Sequence, residues 1–278
     1  VTRPVAWRTA VFEGAGALLW WDLGTGEGGE DVWDAARTAG WLDAPRDTMR
    51  RVALDAWRAA WWPASRVADV APLDPRVLCA RRAVALAALD GITDDDEAVE
   101  RALRELAAHE ARLGPLEEAA VGPLAARVRE VADDHGLAGT APDAPPRRED
   151  LALAAGGTPA TGDVLMAGDD RVDPGAVPQG VADPLGRIAW QVGAALTVAV
   201  TVPAAPVAGD PEPVVLTAVA DGVTVPLHRA GDAWWGEVPA PPALLTSRPV
   251  FRLVVPGFAA VPGVDARRLV EIAREVGP

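Results

Sequence analysis

The chain has 278 residues, half of them apolar, and a formal net charge of −14, enough length and apolar content for one large domain or two ordinary ones with their own cores. That charge argues against nonspecific nucleic-acid binding, which needs a basic footprint, and no uninterrupted apolar run approaches a membrane span. The absence of lysine excludes a Walker A lysine and a pyridoxal Schiff base; the single cysteine, Cys79, excludes an internal disulfide and every multi-cysteine metal site.

Other missing residue types narrow the field further. Tyrosine is absent, and neither serine, Ser65 or Ser247, stands in a GxSxG nucleophile elbow. Asparagine is absent too, while Ala, Arg, Gly and Pro abound, which reads as the codon bias of a GC-rich bacterial genome. Arginine in place of lysine is therefore no evidence for a phosphate site. The N-terminus does not read as a signal peptide, because Glu13 interrupts the apolar run after Arg3 and Arg8. These features predict an acidic cytoplasmic protein.

Taken in order, Arg8 to Glu13 and Ala17 to Leu23 are short apolar runs joined by Gly14-Ala15-Gly16, a hairpin pattern. The second run enters a glycine cluster in which Gly24, Gly26 and Gly29 have GxGxxG spacing, and Glu30 to Ala39 reads as a helix closed by Gly40. Strand, glycine turn and helix N-terminus is an order that can aim free N–H groups at an anion. In wording, Asp22-Leu23-Gly24-Thr25-Gly26-Glu27-Gly28 resembles the first motif of class I S-adenosylmethionine-dependent methyltransferases. That resemblance implies a cofactor site for S-adenosylmethionine on Gly24, Gly26 and Gly29. The residues beyond it favour the simpler reading of two consecutive turns. An acidic strand end is needed about 20 residues on, and Val52-Ala53-Leu54-Asp55 offers that wording too far along, inside a helical pattern.

Asp43 and Pro45 open a helix from Arg46 that Pro63 must stop, with Leu54, Trp57 and Trp61 as its core stripe. Asp74-Pro75 opens the next, Val77 to Leu89, apolar enough to be the buried centre of the helical part, with Cys79 read as a small buried hydrophobe. Thr93 caps a third, with Asp94, Asp95 and Asp96 in its first turn and Val99, Leu103, Leu106 and Leu113 facing inward. A fourth reaches His135, bent or divided at Gly122-Pro123. His109, His135 and His228 are too scattered to suggest a metal site, and Asp169, Asp170 and Asp173 read as a loop lacking an EF-hand pattern.

Residues 139–162 read as a Pro/Ala/Gly linker between a Trp-rich helical domain with its hairpin, 1–138, and a β-domain, 163–278. Beyond the linker the apolar period becomes two, in Leu196 to Val202, Val214 to Val219, Val223 to Leu227, Trp234 to Val238 and Val250 to Val255. Asp221-Gly222 and Ala230 to Asp232 mark tight turns. The expected fold is α+β: an N-terminal helical bundle with a β-hairpin, then an antiparallel immunoglobulin-like β-sandwich and a helix from Ala266 to Val276 capped by Asp265. Adjacent strand residues face opposite ways, so only one ring of Trp234-Trp235 can enter a core, and Trp20-Trp21 poses the same choice. Trp21, Trp234 and Trp235 are therefore the candidate interaction residues. The expected function is a non-catalytic protein-binding or assembly component with a protein partner. The alternative is an enzyme, either a divergent methyltransferase or an acid–base catalyst using Asp, Glu, His and Arg.

Overall fold

A computed structural model describes residues 5–14, 16–33, 38, 46–89, 91, 92, 95–116, 118–137, 164–209, 211–220, 222–245 and 247–278. The expected linker lies outside the described residues. Those described form a mixed α/β structure with five helices and two antiparallel sheets.

The N-terminal hairpin forms as expected: β1, Thr9–Gly14, pairs with β2, Ala17–Asp22, and Gly16 closes the turn at φ 78°. The glycine cluster leads not into a helix but into a third strand, β3, Gly28–Val32, antiparallel to β2. The expected helix from Glu30 to Ala39 is corrected for Glu30 to Val32; residues 34–37, 39 and 40 lie outside the described residues. β3 pairs Gly29 with Trp20 and Gly28 with Trp21, and a Cβ on Gly29 would lie 2.5 Å from the Trp20 indole. Ladder bonding and room for large rings decide the local structure over a weak helical pattern.

Helix α1, Arg46–Trp61, packs on this small sheet, burying Met49, Val52, Ala53 and Trp57. The expected stripe is thus rotated, with Leu54 and Trp61 at its flanks. Trp57 donates its indole N–H to the Trp7 carbonyl at 2.7 Å. Helix α2, Pro75–Ala87, is capped by Asp74, which accepts from the Arg76 N–H at 2.9 Å. Helix α3, Ala98–Leu113, starts after the acidic cluster; Asp95 precedes it and pairs with Arg101 at 2.8 Å, while Thr93 and Asp94 lie outside the described residues. Helix α4, Glu118–Asp134, is kinked at Val121, next to Gly122-Pro123.

The second sheet has seven strands: β4, Val164–Arg171; β5, Arg187–Gly193; β6, Thr197–Pro203; β7, Leu216–Ala220; β8, Val223–Ala230; β9, Ala233–Pro239; and β10, Arg252–Val254, in the order β10-β7-β8-β9-β6-β5-β4. The sequence reading missed β4 and β5, and Asp169 and Asp170 lie within β4 rather than in a loop. The sheet curls at β8, whose first part, Val223 to Leu227, pairs with β7 and whose last part, His228 to Ala230, pairs with β9. Val198, Val200 and Val202 of β6, Leu216 and Ala218 of β7 and Leu253 of β10 consequently share one core.

Helix α5, Ala266–Val276, capped by Asp265, returns to the helical part. Its Leu269, Val270, Ile272 and Ala273 join the first core, and Arg58 donates to the Val276 and Gly277 carbonyls at 3.2 and 3.1 Å. Arg58 also pairs with buried Asp55 at 2.6 Å, so the end of the chain is held where the helix dipole is negative. The two cores meet at Asp183. This carboxylate is 1% exposed and accepts from Ser65 Oγ at 2.8 Å, the Arg66 N–H at 2.9 Å and the Leu185 N–H at 3.0 Å.

Candidate functional site

Gly24 to Glu27 form a self-contained turn. Asp22 Oδ1 accepts from the Gly24 and Thr25 N–H groups at 2.8 and 3.0 Å, the Gly26 N–H donates to the Asp22 carbonyl at 2.8 Å, and the Glu27 N–H donates to Thr25 Oγ1 at 3.2 Å. Donors that a phosphate cradle would point outward are engaged within the turn. Burial works to raise the Asp22 pKa, but these N–H groups and the Arg8 charge outweigh it and hold the carboxyl below its ordinary range. Gly26 is required by its φ of 71° and Gly29 by the Trp20 ring, so the GxGxxG spacing has two separate local causes.

Beside this turn lies an open cavity of about 800 Å³, lined by Trp21, Gly24, Gly26, Arg50, Arg51 and Glu275 among others. Trp21 is half-buried against the first core. Of the Trp20-Trp21 pair it is therefore the core-side ring. Asp47 and Glu275 offset the two arginines across the opening, so its charge is mixed.

The other tryptophan pair divides cleanly. Trp234 is 4% exposed and donates its indole N–H to the Val181 carbonyl at 2.7 Å, so both ring and donor are used internally. Trp235 is 44% exposed on the outer face of β9, the central strand of seven, opposite Thr201 on one side and His228 on the other. Both flanking residues are exposed, so the indole stands on a face that the described residues leave open.

A third region lies between the helices and the second sheet. A cleft of about 340 Å³ is lined by Leu78, Cys79, His109, Arg112, Glu212 and Trp234, among others. Burial, and then the Glu105 charge, push the Cys79 thiol up to about 11, so it is protonated at neutral pH and no activated nucleophile. Burial, followed by the neighbouring Arg112, lowers the His109 pKa, and Arg112 Nη2 lies 3.1 Å from His109 Nδ1. An adjoining cavity of about 460 Å³ is lined by Arg66 and Arg229. Sequence reasoning missed this pairing, for which a separation of more than 160 positions leaves no local signal.

Among the described residues no group of three or more His, Cys, Asp or Glu is placed to hold a metal ion, and no helix is long and apolar enough to cross a membrane. The acidic residues near β4 have structural uses: Asp169 pairs with Arg187, Asp170 accepts from Trp190 Nε1 and the Phe251 N–H, and Asp173 accepts from the Gly175 N–H. The chain matches no family model, no curated protein and no solved structure.

Proposed function

We propose that this chain is a non-catalytic protein-binding or assembly component of a cytoplasmic complex or pathway, with the outer face of the seven-stranded sheet as its docking surface. The observation that carries the reading is Trp235, an indole 44% exposed at the centre of a sheet face. Large aromatics in such positions contribute most when a partner removes them from water, and their rigid rings lose little entropy on binding. In this reading the helices act as a bundle that braces an immunoglobulin-like sandwich. The bend of β8, which brings both ends of the sheet onto one core, supports the sandwich.

The test is a photocrosslinking amino acid at position 235, with one at exposed Arg104 on α3 as control, in cells that naturally make the protein. A discrete protein adduct from position 235 and none from 104 is expected. Absence of an adduct, or the same adducts from both positions, counts against the docking face.

The second reading is an enzyme, either a divergent methyltransferase or an acid–base catalyst. It is favoured by one observation, the cavity of about 800 Å³ that brings Gly24 and Gly26 together with Trp21 and charged side chains of α1 and α5. Calorimetric titration with S-adenosylmethionine separates the methyltransferase from the rest. Saturable heat abolished by Gly26→Val supports it, and no heat from folded protein removes S-adenosylmethionine as the ligand.

A further inference from the structure

Arg66 and Arg229 converge from the two halves of the molecule. Arg66 lies in the tight loop after α1, whose ends are bridged by Ser65 and Val70, and Asp183 fixes its backbone through the Arg66 N–H and, at 3.4 Å, the Val67 N–H. Its Nη1 donates to the Ala204 carbonyl at 3.3 Å. Arg229, near the end of β8, donates from Nη2 to the next carbonyl, that of Ala205, at 3.2 Å, and its guanidinium lies 5.8 Å from the centre of the Trp234 ring. Two adjacent carbonyls thus steer two guanidinium groups toward one cavity of about 460 Å³.

No carboxylate pairs with either group among the described residues, and Arg229 Nη1 is buried without a hydrogen-bond partner. Arg8, Arg101 and Arg112 each meet a carboxylate, whereas Arg51, Arg248 and Arg274 bond to a hydroxyl or a backbone carbonyl; what sets Arg66 and Arg229 apart is that both line one cavity. In a chain of net charge −14, two arginines on one cavity with no carboxylate partner among the described residues run against the average electrostatics. Burial, and then the Arg66 charge, pull the Arg229 pKa below its ordinary value, so the two cations are close enough to oppose one another. An anion between them would relieve that repulsion. Planar guanidinium forks are suited to phosphate oxygens, and two of them match a dianion.

The cavity does not end at the arginines. Pro206, Val207, Pro211 and Arg229 line both it and the cleft of about 340 Å³ that runs on to Leu78 and Trp234. We infer that this junction binds a soluble phosphomonoester, its phosphate held by Arg66 and Arg229 and its apolar or aromatic body lying in the cleft between the helices and the sheet. This site is separate from the Trp235 face and independent of the docking reading.

The test is calorimetry at low ionic strength with phenyl phosphate and inorganic phosphate as probes, on wild type and the variants Arg66→Gln, Arg229→Gln and Arg252→Gln, with circular dichroism to establish that each is folded. Arg66 is exposed, so Arg66→Gln is the variant least liable to disturb the fold. The expected result is saturable phenyl phosphate binding, weakened about tenfold or more by Arg66→Gln and by Arg229→Gln and unchanged by Arg252→Gln. Inorganic phosphate should bind at the same place but more weakly. No binding by folded wild type, or binding indifferent to both cavity substitutions, overturns the site. Equal affinity for both probes overturns the apolar half of the assignment. Cosedimentation with phosphatidic acid vesicles, without binding of the soluble probes, overturns the soluble ligand.

Discussion

Asp183→Ala is expected to lower unfolding free energy by about 3 kcal/mol, because it strands several buried donors at once. The carboxylate is 1% exposed, and no side chain of opposite charge pairs with it among the described residues. Its stability rests on hydrogen bonds: Oδ1 accepts from Ser65 Oγ and the Leu185 N–H, and Oδ2 from the Arg66 N–H. Ser65 is itself 1% exposed, so its hydroxyl has no ready replacement in water. Asp183→Asn retains one acceptor oxygen but turns an amide N–H₂ toward donors, so it should recover only part of the loss. Urea unfolding followed by circular dichroism and tryptophan fluorescence measures both variants. A loss below about 1 kcal/mol for the alanine variant would mean that desolvation of the carboxylate cancels its hydrogen bonds. The same substitution releases the Arg66 loop, so binding of phenyl phosphate should weaken along with stability.

Gly236→Ala should destabilise by about 3 kcal/mol or prevent folding altogether, an effect at the upper end for overpacking. A Cβ at this position would lie 2.1 Å from the Pro226 carbonyl oxygen, 3.0 Å from Val225 Cγ1 and 3.1 Å from Leu227 Cδ2. The first of these is backbone, so no rotamer change relieves it. β8 would have to lift off β9 at the bend where it leaves one neighbour for the other, and the shared core of Val200, Val225 and Leu253 would open. Gly193→Ala is the control, since a Cβ there meets only Thr197 Oγ1 at 3.9 Å, and its stability should change by less than about 1 kcal/mol. Comparable thermal shifts in the two variants would show that the crossing of β8 over β9 is not a tight contact.

The features legible in the sequence are those that neighbouring residues enforce. Asp74-Pro75 and Asp265 start helices because a side-chain oxygen and the first free N–H groups are two or three positions apart. Gly222 and Gly231 mark hairpins because the turns need positive φ. The alternation in β6 and β8 is a local record of which face is buried. Opposed faces for Trp234 and Trp235 follow from the same period of two. The alternation Ile188-Trp190-Val192 in β5 was present too and could have been found, whereas β4 carries Gly168 and two aspartates inside a strand, which masks the period.

Long-range pairing decided what local pattern misjudged. Glu30 follows a glycine turn and opens a segment whose sequence reads as a helix, yet it is strand because β2 offers a ladder and the indoles of Trp20 and Trp21 need glycines opposite them. The α1 stripe turned toward Met49 and Val52 because these residues join the core that α1 shares with the small sheet.

By itself, then, the sequence determined where most of the helices and hairpins lie, which chemistries the missing residue types exclude, and that one ring of each tryptophan pair must face away from the other. The tertiary structure decided which ring that is, brought α5 back onto the first core, bent β8 so that seven strands share one interior, and set Arg66 beside Arg229. Capping, turn geometry and alternation act over a few residues and are written locally. Burial, charge proximity and cavity shape depend on which distant segments meet, and only the folded chain sets those distances.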